Sequence, residues 1–407
     1  MKILIINQPL GNRGDESAHK ALVRTLLQKV DNIQIRVLFV GSVEQWSISQ
    51  FKIDDKRVKY LNIHTFFRAS KFSDAALLKP IRKIMWDIHP SLYQIKREYK
   101  WADIVLCAPG GICMGGFQNW QHLYFLKLAK HFKKPLAYYG RSFGPFPIST
   151  ELNRKYKEIS YEMLNYFSFL SIRDSKTAKL ADEIGVSYTS TLDTAFLETP
   201  CVEIPYEIKM QLRNKSYMVF VPNYLLWHYA YRGKFTESEL IDFYCRVVGL
   251  IWKFNPDLHI VMLPQVYGKG DKIDDLPLFR MIANQINDPR IIIISDSYNS
   301  DIQQTIIRSA QFVIGARYHS IVFAINQCVP FIALSYEHKI AGLLETLGKE
   351  DSMINFTETM FSAEAQEECL LKLYSMMPLL KNDINARNKA KQITQEGLEQ
   401  FLIKINK

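Results

Sequence analysis

The chain has 407 residues, with 51 Lys and Arg against 41 Asp and Glu and a formal net charge of +10. Because domains of about 100–200 residues are usual, this length predicts two domains. Hydrophobic residues make up 48% and charged residues 23%, which excludes a disordered chain. The longest apolar runs, such as residues 291–294, are far shorter than the ~20 residues of a membrane helix. Since the N-terminus enters a predicted strand at once, we expect neither signal peptide nor membrane anchor.

The cysteines indicate the cellular compartment, and the net charge indicates the class of binding partner. Six cysteines are spread along the chain without the paired spacing of a metal site, so we expect a cytoplasmic protein without a metal. The positive charge favours an anionic partner such as nucleic acid, membrane lipid or a phosphorylated substrate. Because no zinc-finger, RNP-type or helix-turn-helix pattern accompanies the charge, we expect no nucleic acid.

The first half of the chain alternates short apolar runs with helical periodicity. Residues 2–7 predict a strand, which a glycine-containing turn at residues 11–15 ends before a helix begins. Further strands are predicted at 35–40, 104–108, 135–139 and 167–172, and helices at 118–131, 150–166 and 176–184. Strands that alternate with helices predict a parallel, doubly wound α/β domain, here over residues 1–198.

An insertion near residues 62–101 interrupts this domain. Its part from residue 66 onward mixes basic with aromatic and aliphatic side chains. One interpretation is a solvated helical insertion with buried aromatic side chains. The other is peripheral contact with the inner face of the plasma membrane, which would favour a lipid-linked sugar as the acceptor substrate.

The alternation pauses at residues 199–215, where we place the domain boundary, and the second half then repeats it. Strands are predicted at 217–221, 259–263, 290–294, 312–314 and 330–334, and helices at 237–254, 276–286, 300–309, 318–327 and 339–347. The second Rossmann-like domain spans 199–380. A helical tail follows at 381–407, within a stretch predicted to be wholly helical from residue 363. Because open α/β sheets bind ligands beyond the carboxyl ends of their strands, two sheets facing a cleft would share one site.

The segment 315–320, Gly-Ala-Arg-Tyr-His-Ser, is the strongest chemical feature. It lies where a predicted strand ends and a helix begins, and the free N–H groups of a helix start bind anions. Arg317 can grip a carboxylate or phosphate with two N–H groups. Histidine is the side chain whose ordinary pKa lies near neutrality, so His319 can serve as a proton donor. The alternative is an exposed arginine beside a core histidine.

Polar residues in the first half supply further candidates. Arg173 leaves the end of a predicted strand, where an ion pair with Asp174 and a helix cap at Ser175 are the structural alternatives. Asp15 and Glu16 begin the first helix and either cap it or accept a proton from a sugar hydroxyl. Their turn lacks both the dinucleotide-binding and the P-loop glycine patterns.

Loops at predicted strand ends suit a flat polar substrate such as a sugar, because their glycines allow close backbone approach. They lie at residues 109–111 and 139–145. Asp193 closes the first domain, with a turn cap as the alternative. Lys339 adds a positive charge near the end of the second sheet.

The ordered set of these segments resembles the polysaccharide pyruvyl transferase family. The set comprises Asn12-x-Gly14-Asp15, Pro109-Gly110-Gly111, Tyr139-Gly140-x-Ser142-x-Gly144-Pro145, Arg173-x-x-Ser175, Asp193-x-Ala195-Phe196, Gly315-x-Arg317-x-His319-Ser320 and Tyr336-x-x-Lys339. Their order and spacing extend over residues 7–348. The insertion and the helical tail lie outside the resemblance.

The resemblance implies a fold like that of the GT-B glycosyltransferases. It also implies transfer of the pyruvyl group of phosphoenolpyruvate to a sugar of a bacterial capsular or exopolysaccharide precursor, with closure of a cyclic ketal and release of phosphate. The implied phosphoenolpyruvate contacts are Arg173, Arg317 and His319, to which we add Ser320 and Lys339.

We expect His319 to act as the acid and Asp15 or Glu16 as the base. Acceptor contacts are assigned to Asn12, Gly14, Gly110, Gly111, Ser142 and Asp193. No cofactor is expected besides the donor substrate, phosphoenolpyruvate.

Two other functions stay open at this point. A GT-B glycosyltransferase would share the fold and use a nucleotide sugar, with Glu337 or Glu345 on the donor ribose, since these two have the E-x7-E spacing of many such enzymes. A non-catalytic carbohydrate-binding relative would need only the cleft.

Overall fold

The structure is a computed structural model that describes residues 1–41, 43–64, 89–116, 118–228, 230–268, 274–336 and 338–405. Most of the predicted insertion, from residue 65 to 88, lies outside the described residues, and so does Glu337. The chain divides into two compact units. Unit 1 comprises Met1–Leu10, Ala18–Leu197 and Gln392–Lys407, and unit 2 comprises Gly11–Ser17 and Glu198–Lys391.

Unit 1 is built on parallel strands. They are β1 (Lys2–Ile6), β2 (Gln34–Val40), β3 (Val58–Ile63), β4 (Ile104–Cys107), β5 (Gly110–Met114), β6 (Leu136–Tyr138), β7 (Arg141–Phe143), β8 (Phe169–Ile172) and β9 (Thr189–Ser190). Among the described residues, seven of them form one sheet in the order β3-β2-β1-β4-β6-β8-β9, while β5 and β7 pair with each other.

Helices cover the sheet of unit 1. They are α1 (Arg13–Lys29), α2 (Gln45–Phe51), α3 (Pro90–Trp101), α4 (Trp120–His131), α5 (Glu151–Leu164) and α6 (Ser175–Ile184). Apolar side chains such as Leu4 and Val105 belong to one buried cluster, and their neighbours Ile5 and Leu106 belong to another. Strands buried in this way read as continuous apolar runs, which is why the sequence located most of them.

Unit 2 repeats the plan with a second parallel sheet. Its strands are β10 (Tyr217–Val221), β11 (His259–Met262), β12 (Ile291–Ile293), β13 (Val313–Gly315), β14 (Phe331–Ser335) and β15 (Met353–Asn355), in the order β12-β11-β10-β13-β14-β15. The strand order reverses between β10 and β13. In open α/β sheets, such a switch point opens a crevice beyond the carboxyl ends of the strands where ligands bind.

The helices of unit 2 and of the C-terminus complete the chain. They are α7 (Tyr206–Leu212), α8 (Glu237–Phe254), α9 (Asp275–Ile286), α10 (Ser300–Arg308), α11 (Tyr318–Asn326), α12 (His338–Leu347), α13 (Ala363–Met376) and α14 (Ile384–Ile405). No helix within the described ranges is both long and apolar enough to cross a membrane.

The prediction of a wholly helical stretch from residue 363 onward was wrong. A 3-10 turn, Met377–Leu379, follows α13, and residues 380–383 are not helical before α14 begins. Pro378 sits in that turn and cannot donate a backbone hydrogen bond, so α13 cannot continue through it.

Two segments group differently from the predicted boundaries, which placed residues 11–17 in the N-terminal domain and residues 381–407 in a separate helical tail. Residues 11–17, predicted within the N-terminal domain, belong to unit 2, and the second half of α14 belongs to unit 1. In unit 1, Phe401 packs against Tyr139 and Phe169 with ring centroids 5.2 Å apart in both pairs. Gly397 lies so close to Thr191 that an added Cβ would be 2.5 Å from its hydroxyl oxygen. These contacts, which join residues far apart in the chain, leave no signature in local periodicity.

The core of unit 1 contains a histidine whose burial makes the protein sensitive to acid. His19 is 1% exposed and lies 3.1 Å from the Tyr60 hydroxyl. Burial, together with the smaller effects of the Lys20 and Arg24 charges, lowers the pKa of His19 from 6.5 to about 3. Below about pH 6.5 the unfolded chain therefore binds a proton at this position that the folded chain does not bind, and stability falls with pH until about pH 3.

We expect acidification from pH 7 to pH 5 to remove about 2 kcal/mol of stability through His19 alone. His19→Gln keeps a polar side chain that cannot titrate, so its free energy of unfolding should fall by correspondingly less between these pH values. Urea denaturation of both proteins at each pH measures the difference. Equal losses in the two proteins would contradict the assignment.

Candidate functional site

The candidate site in unit 2 lies beside the strand-order switch. β13 ends at Gly315 and α11 begins at Tyr318, so Arg317 occupies the N-cap position with extended backbone angles, φ −106° and ψ 133°. Arg317 and His319 are each 7% exposed. The structure thus places both residues at the strand end and helix start that the sequence predicted.

Arg317 is held by an acidic residue that the sequence analysis missed. Asp275, the first residue of α9, accepts hydrogen bonds from Arg317 Nε at 3.0 Å and from Nη2 at 2.5 Å. The other carboxylate oxygen of Asp275 accepts from the backbone N–H groups of Gln265 and Val266, at 2.7 and 2.9 Å. Asp275 therefore ties the end of β11 to Arg317.

The electrostatics of this pair follow from its burial. Asp275 is fully buried, and burial raises the pKa of its carboxyl group, while Arg317 and the backbone hydrogen bonds act in the opposite direction. Removing one partner of a buried ion pair leaves an uncompensated charge, which costs about 3–5 kcal/mol. In sequence, an Asp at a helix start suggests only a cap, and the separation of 42 positions between the partners hides the pairing.

His319 is packed against the turn that follows β1. A Cβ atom added to Gly14 would lie 1.8 Å from both Cγ and Nδ1 of the His319 imidazole. No side chain fits at such a distance, so only glycine at position 14 permits this arrangement. The Tyr318 ring meets the imidazole edge to face, with centroids 4.9 Å apart. The structure therefore brings together two predicted segments, 12–15 and 315–320.

A buried arginine fastens residues 11–17 within unit 2. Arg13 is fully buried, and its guanidinium stacks on the Tyr267 ring with its central carbon 4.1 Å from the ring centroid. It also donates to the Glu16 carboxylate at 2.6 Å and to the Asp296 carbonyl. The Arg13 backbone N–H donates to the Gln265 carbonyl at 2.8 Å. Arg13 was an unassigned position between predicted site residues.

Asn12, Asp15 and Glu16, which were all predicted as site residues, have different contacts in the structure. Asn12, assigned to the acceptor, caps α1 by accepting from the N–H groups of Gly14 and Asp15 at 2.7 and 3.3 Å. Glu16 is fully buried, and besides Arg13 it accepts from the Ser300 backbone and hydroxyl groups at 2.9 and 3.0 Å. Because both Glu16 oxygens are engaged in these contacts, we favour Asp15 over it as the base, and the assignment of Glu16 stays a prediction. Asp15 is partly exposed and stays the candidate base.

Further described residues of unit 2 that the sequence analysis singled out are Ser320, Lys339 and Glu345. Ser320 is fully buried and donates its hydroxyl hydrogen to the Arg317 carbonyl at 2.6 Å, so it has no hydrogen left for an anion. The role of Ser320 as a phosphoenolpyruvate contact stays a prediction. Lys339 lies partly exposed in the first turn of α12, and Glu345 lies exposed further along that helix.

Arg173 in unit 1 forms a buried pair as well, with Asp193. Asp193 is fully buried and also accepts from the Ala195 N–H at 3.0 Å, which makes it a cap of the short turn Thr194–Leu197. Asp193 thus has the contacts of a structural residue, and its role as an acceptor contact stays a prediction. Arg173 is 6% exposed.

Asp174, and not Ser175, is the N-cap of α6. It accepts from the Thr177 N–H at 2.8 Å. It also accepts from the Ser142 hydroxyl at 2.5 Å. Since Ser142 is fully buried, this bond engages the hydrogen of a hydroxyl that the sequence analysis had assigned to the acceptor, and that assignment stays a prediction.

Gly110 and Gly111 lie on β5 beside a buried arginine that was not predicted. The predicted loop 109–111 overlaps the start of β5, and the predicted loop 139–145 contains β7, which pairs with β5. Arg141 on β7 is fully buried and donates to the Gly111 carbonyl at 3.0 Å and to the Asn7 carbonyl at 3.2 Å. Gly111 itself is partly exposed, with open space where a Cβ would be.

Comparison with known structures gives the class of fold. A UDP-N-acetylglucosamine 2-epimerase matches with a TM-score of 0.57 at 13% identity, over 99% of this chain and 96% of that one. The UDP-GlcNAc 2-epimerase of Neisseria meningitidis matches with a TM-score of 0.54 at 13% identity, over 98% of this chain and 100% of that one. The trehalose-6-phosphate synthase OtsA matches at 0.54 and 9% identity, over 100% and 99%. The fold is therefore of the GT-B type, which confirms the predicted fold class.

Comparison of sequences then identifies the family. Residues 12–338 match the family described as polysaccharide pyruvyl transferase. The amylovoran biosynthesis protein AmsJ of Erwinia amylovora is 23% identical over 381 residues, which cover 86% of each chain. The chain belongs to the polysaccharide pyruvyl transferase family and is a transferase, as predicted.

Proposed function

We propose that this transferase moves the pyruvyl group of phosphoenolpyruvate onto a sugar of a bacterial polysaccharide precursor and releases phosphate. The observation that carries the proposal is the corner of unit 2 where Arg317 and His319 meet Gly14. It joins an oriented cation, a helix start and an imidazole, which are the groups needed to hold an anion and move a proton. Family membership and the likeness to an amylovoran biosynthesis protein support the pyruvyl group and the polysaccharide.

The proposed reaction begins with protonation of the phosphoenolpyruvate methylene carbon by His319. The methylene group becomes a methyl group, and an oxocarbenium-like centre forms at the carbon that bears the phosphate. A sugar hydroxyl attacks this centre and loses its proton to a base, for which Asp15 is the candidate. The carbon–oxygen bond to phosphate then breaks, and the phosphate leaves with the bonding electrons. A second sugar hydroxyl attacks the resulting centre and closes the cyclic ketal, and its proton passes to the phosphate.

The buried Asp275–Arg317 pair contributes by fixing the Arg317 guanidinium in place for the substrate. Asp275 holds the Arg317 fork by two hydrogen bonds, so its geometry is set before substrate arrives. Donors fixed in this way stabilise developing charge without the cost of reorganising during the reaction. The role of Arg173 as a further phosphoenolpyruvate contact rests on the family resemblance, to which the structure adds that its guanidinium is buried with Asp193.

The identity of the donor tests the proposal. We expect the protein, incubated with a saccharide extract, to release inorganic phosphate from phosphoenolpyruvate and no nucleoside diphosphate from UDP-sugars. His319→Ala serves as the control for contaminating phosphatases, because these would be unaffected by the substitution. Release of nucleoside diphosphate alone would instead support the glycosyltransferase alternative.

A further inference from the structure

Asn223 is a buried amide at the strand-order switch of unit 2 to which no role has been assigned. In the parallel register, Val221 on β10 is paired with Gly315 on β13. Asn223 and Arg317 each follow the carboxyl end of their strand by two residues, since β10 ends at Val221 and β13 at Gly315. They therefore lie in the segments that leave the switch point, where open α/β sheets bind ligands.

The orientation of the Asn223 amide is fixed by its neighbour. The Trp227 indole N–H donates to Asn223 Oδ1 at 3.3 Å. Because an indole nitrogen can only donate, the oxygen must face the indole and the amide nitrogen must face away from it. Asn223 is fully buried, and within the part of the chain that the structure describes its Nδ2 has no hydrogen-bond partner.

The backbone of Asn223 is held on both sides by one hydroxyl group. Asn223 N–H donates to the Tyr244 hydroxyl oxygen at 3.2 Å, and that hydroxyl donates to the Asn223 carbonyl at 2.9 Å. Burial raises the pKa of Tyr244, and the charges of Arg317 and Asp275 contribute smaller effects of opposite sign. Both members of the ion pair thus lie within electrostatic range of the hydroxyl that positions Asn223.

An unpaired N–H in a fully buried side chain is rare in native proteins, and a missing ligand is one of its ordinary explanations. We infer that Asn223 Nδ2 is a donor contact for the anionic substrate that Arg317 holds. A neutral donor beside an arginine suits an anion, since it adds a hydrogen bond without adding a second buried charge. This inference rests on the proposed function, in which that anion is phosphoenolpyruvate.

Asn223→Asp gives the sharpest test, because it keeps the size of the side chain and the acceptor for Trp227 but replaces the donor by an oxygen. We expect its dissociation constant for phosphoenolpyruvate, measured by isothermal titration calorimetry, to rise about a hundredfold. Asn223→Ala lacks the donor without adding an oxygen and should raise it about tenfold.

Asn326→Asp is the matched control, since Asn326 is equally buried in unit 2 and donates to the Glu198 carbonyl and to Gln304. It should lower the melting temperature but leave phosphoenolpyruvate affinity within about twofold. Equal affinities of wild type and both Asn223 variants would overturn the inference while leaving the proposed function standing. Equal weakening by the Asn326 variant would also overturn it. If wild type binds no phosphoenolpyruvate, the proposed donor itself fails.

Discussion

His319→Ala is expected to lower kcat for pyruvyl transfer by about a hundredfold to ten-thousandfold, which is the range that positioned acid–base groups contribute. The imidazole is 7% exposed and lies in the first turn of α11. Its removal should weaken phosphoenolpyruvate binding by no more than about tenfold, since Arg317 and Asp275 are left in place. Phosphate release under saturating substrate and calorimetric titration measure the two effects separately.

His319→Gln distinguishes proton transfer from simple binding. Glutamine keeps an N–H donor near the same place but cannot transfer a proton, so it should be as inactive as the alanine variant. His131→Ala, which removes an exposed imidazole on α4, is the control and should behave as wild type. Near-normal turnover in either His319 variant would remove this residue from the mechanism.

Gly14→Ala is expected to reduce kcat/KM by at least about a hundredfold, although it adds only one methyl group. The new Cβ would lie 1.8 Å from the His319 ring, so either the imidazole or the turn must move. Displacing a catalytic group by about 1 Å can cost a hundredfold in rate. Overpacking should also cost about 1–3 kcal/mol of stability.

Gly249→Ala provides the matched control for this substitution. Gly249 lies within α8 of the same unit, and apart from its chain neighbours and the nearby backbone of its own helix no described atom lies within 4 Å of the position that its Cβ would take. That variant should keep full activity and gain about 0.5–1 kcal/mol from the better helix propensity of alanine. Because the methyl group acts through the imidazole, Gly14→Ala should cost little more in a His319→Ala background. Additive losses would show that the two residues act independently.

The sequence predicted the alternation of strands and helices well, for a physical reason. Strands such as β4 and β10 are buried on both faces, and their continuous apolar runs stand out between polar turns. The elements that escaped prediction include β9, which has two residues, and β3, whose side chains are mostly only partly buried. Such strands depend on pairing with a neighbour, which local composition does not encode.

At the site, the sequence indicated the residues but not their partners. The corner at Arg317 and His319 followed from the change of strand into helix. Asp275, Gly14 and Asn223 gained their significance only from contacts across the fold, since a carboxylate at a helix start and a glycine in a turn are common everywhere. Glu16 and Ser320 show the converse, because residues of suitable chemistry beside the site proved to be engaged in internal hydrogen bonds.

The central claim is that a pyruvyl group passes from phosphoenolpyruvate to a sugar, and isotope transfer tests it most directly. The full chain is incubated with phosphoenolpyruvate labelled with ¹³C in all three carbons and with saccharide precursors extracted from the producing cells, and the saccharides are analysed by mass spectrometry. The account predicts a saccharide that carries one labelled pyruvyl ketal, with one phosphate released for each ketal formed. The His319→Ala variant should form no labelled ketal. Saccharides that stay unlabelled while the same extract is extended by a sugar from a nucleotide donor would contradict it.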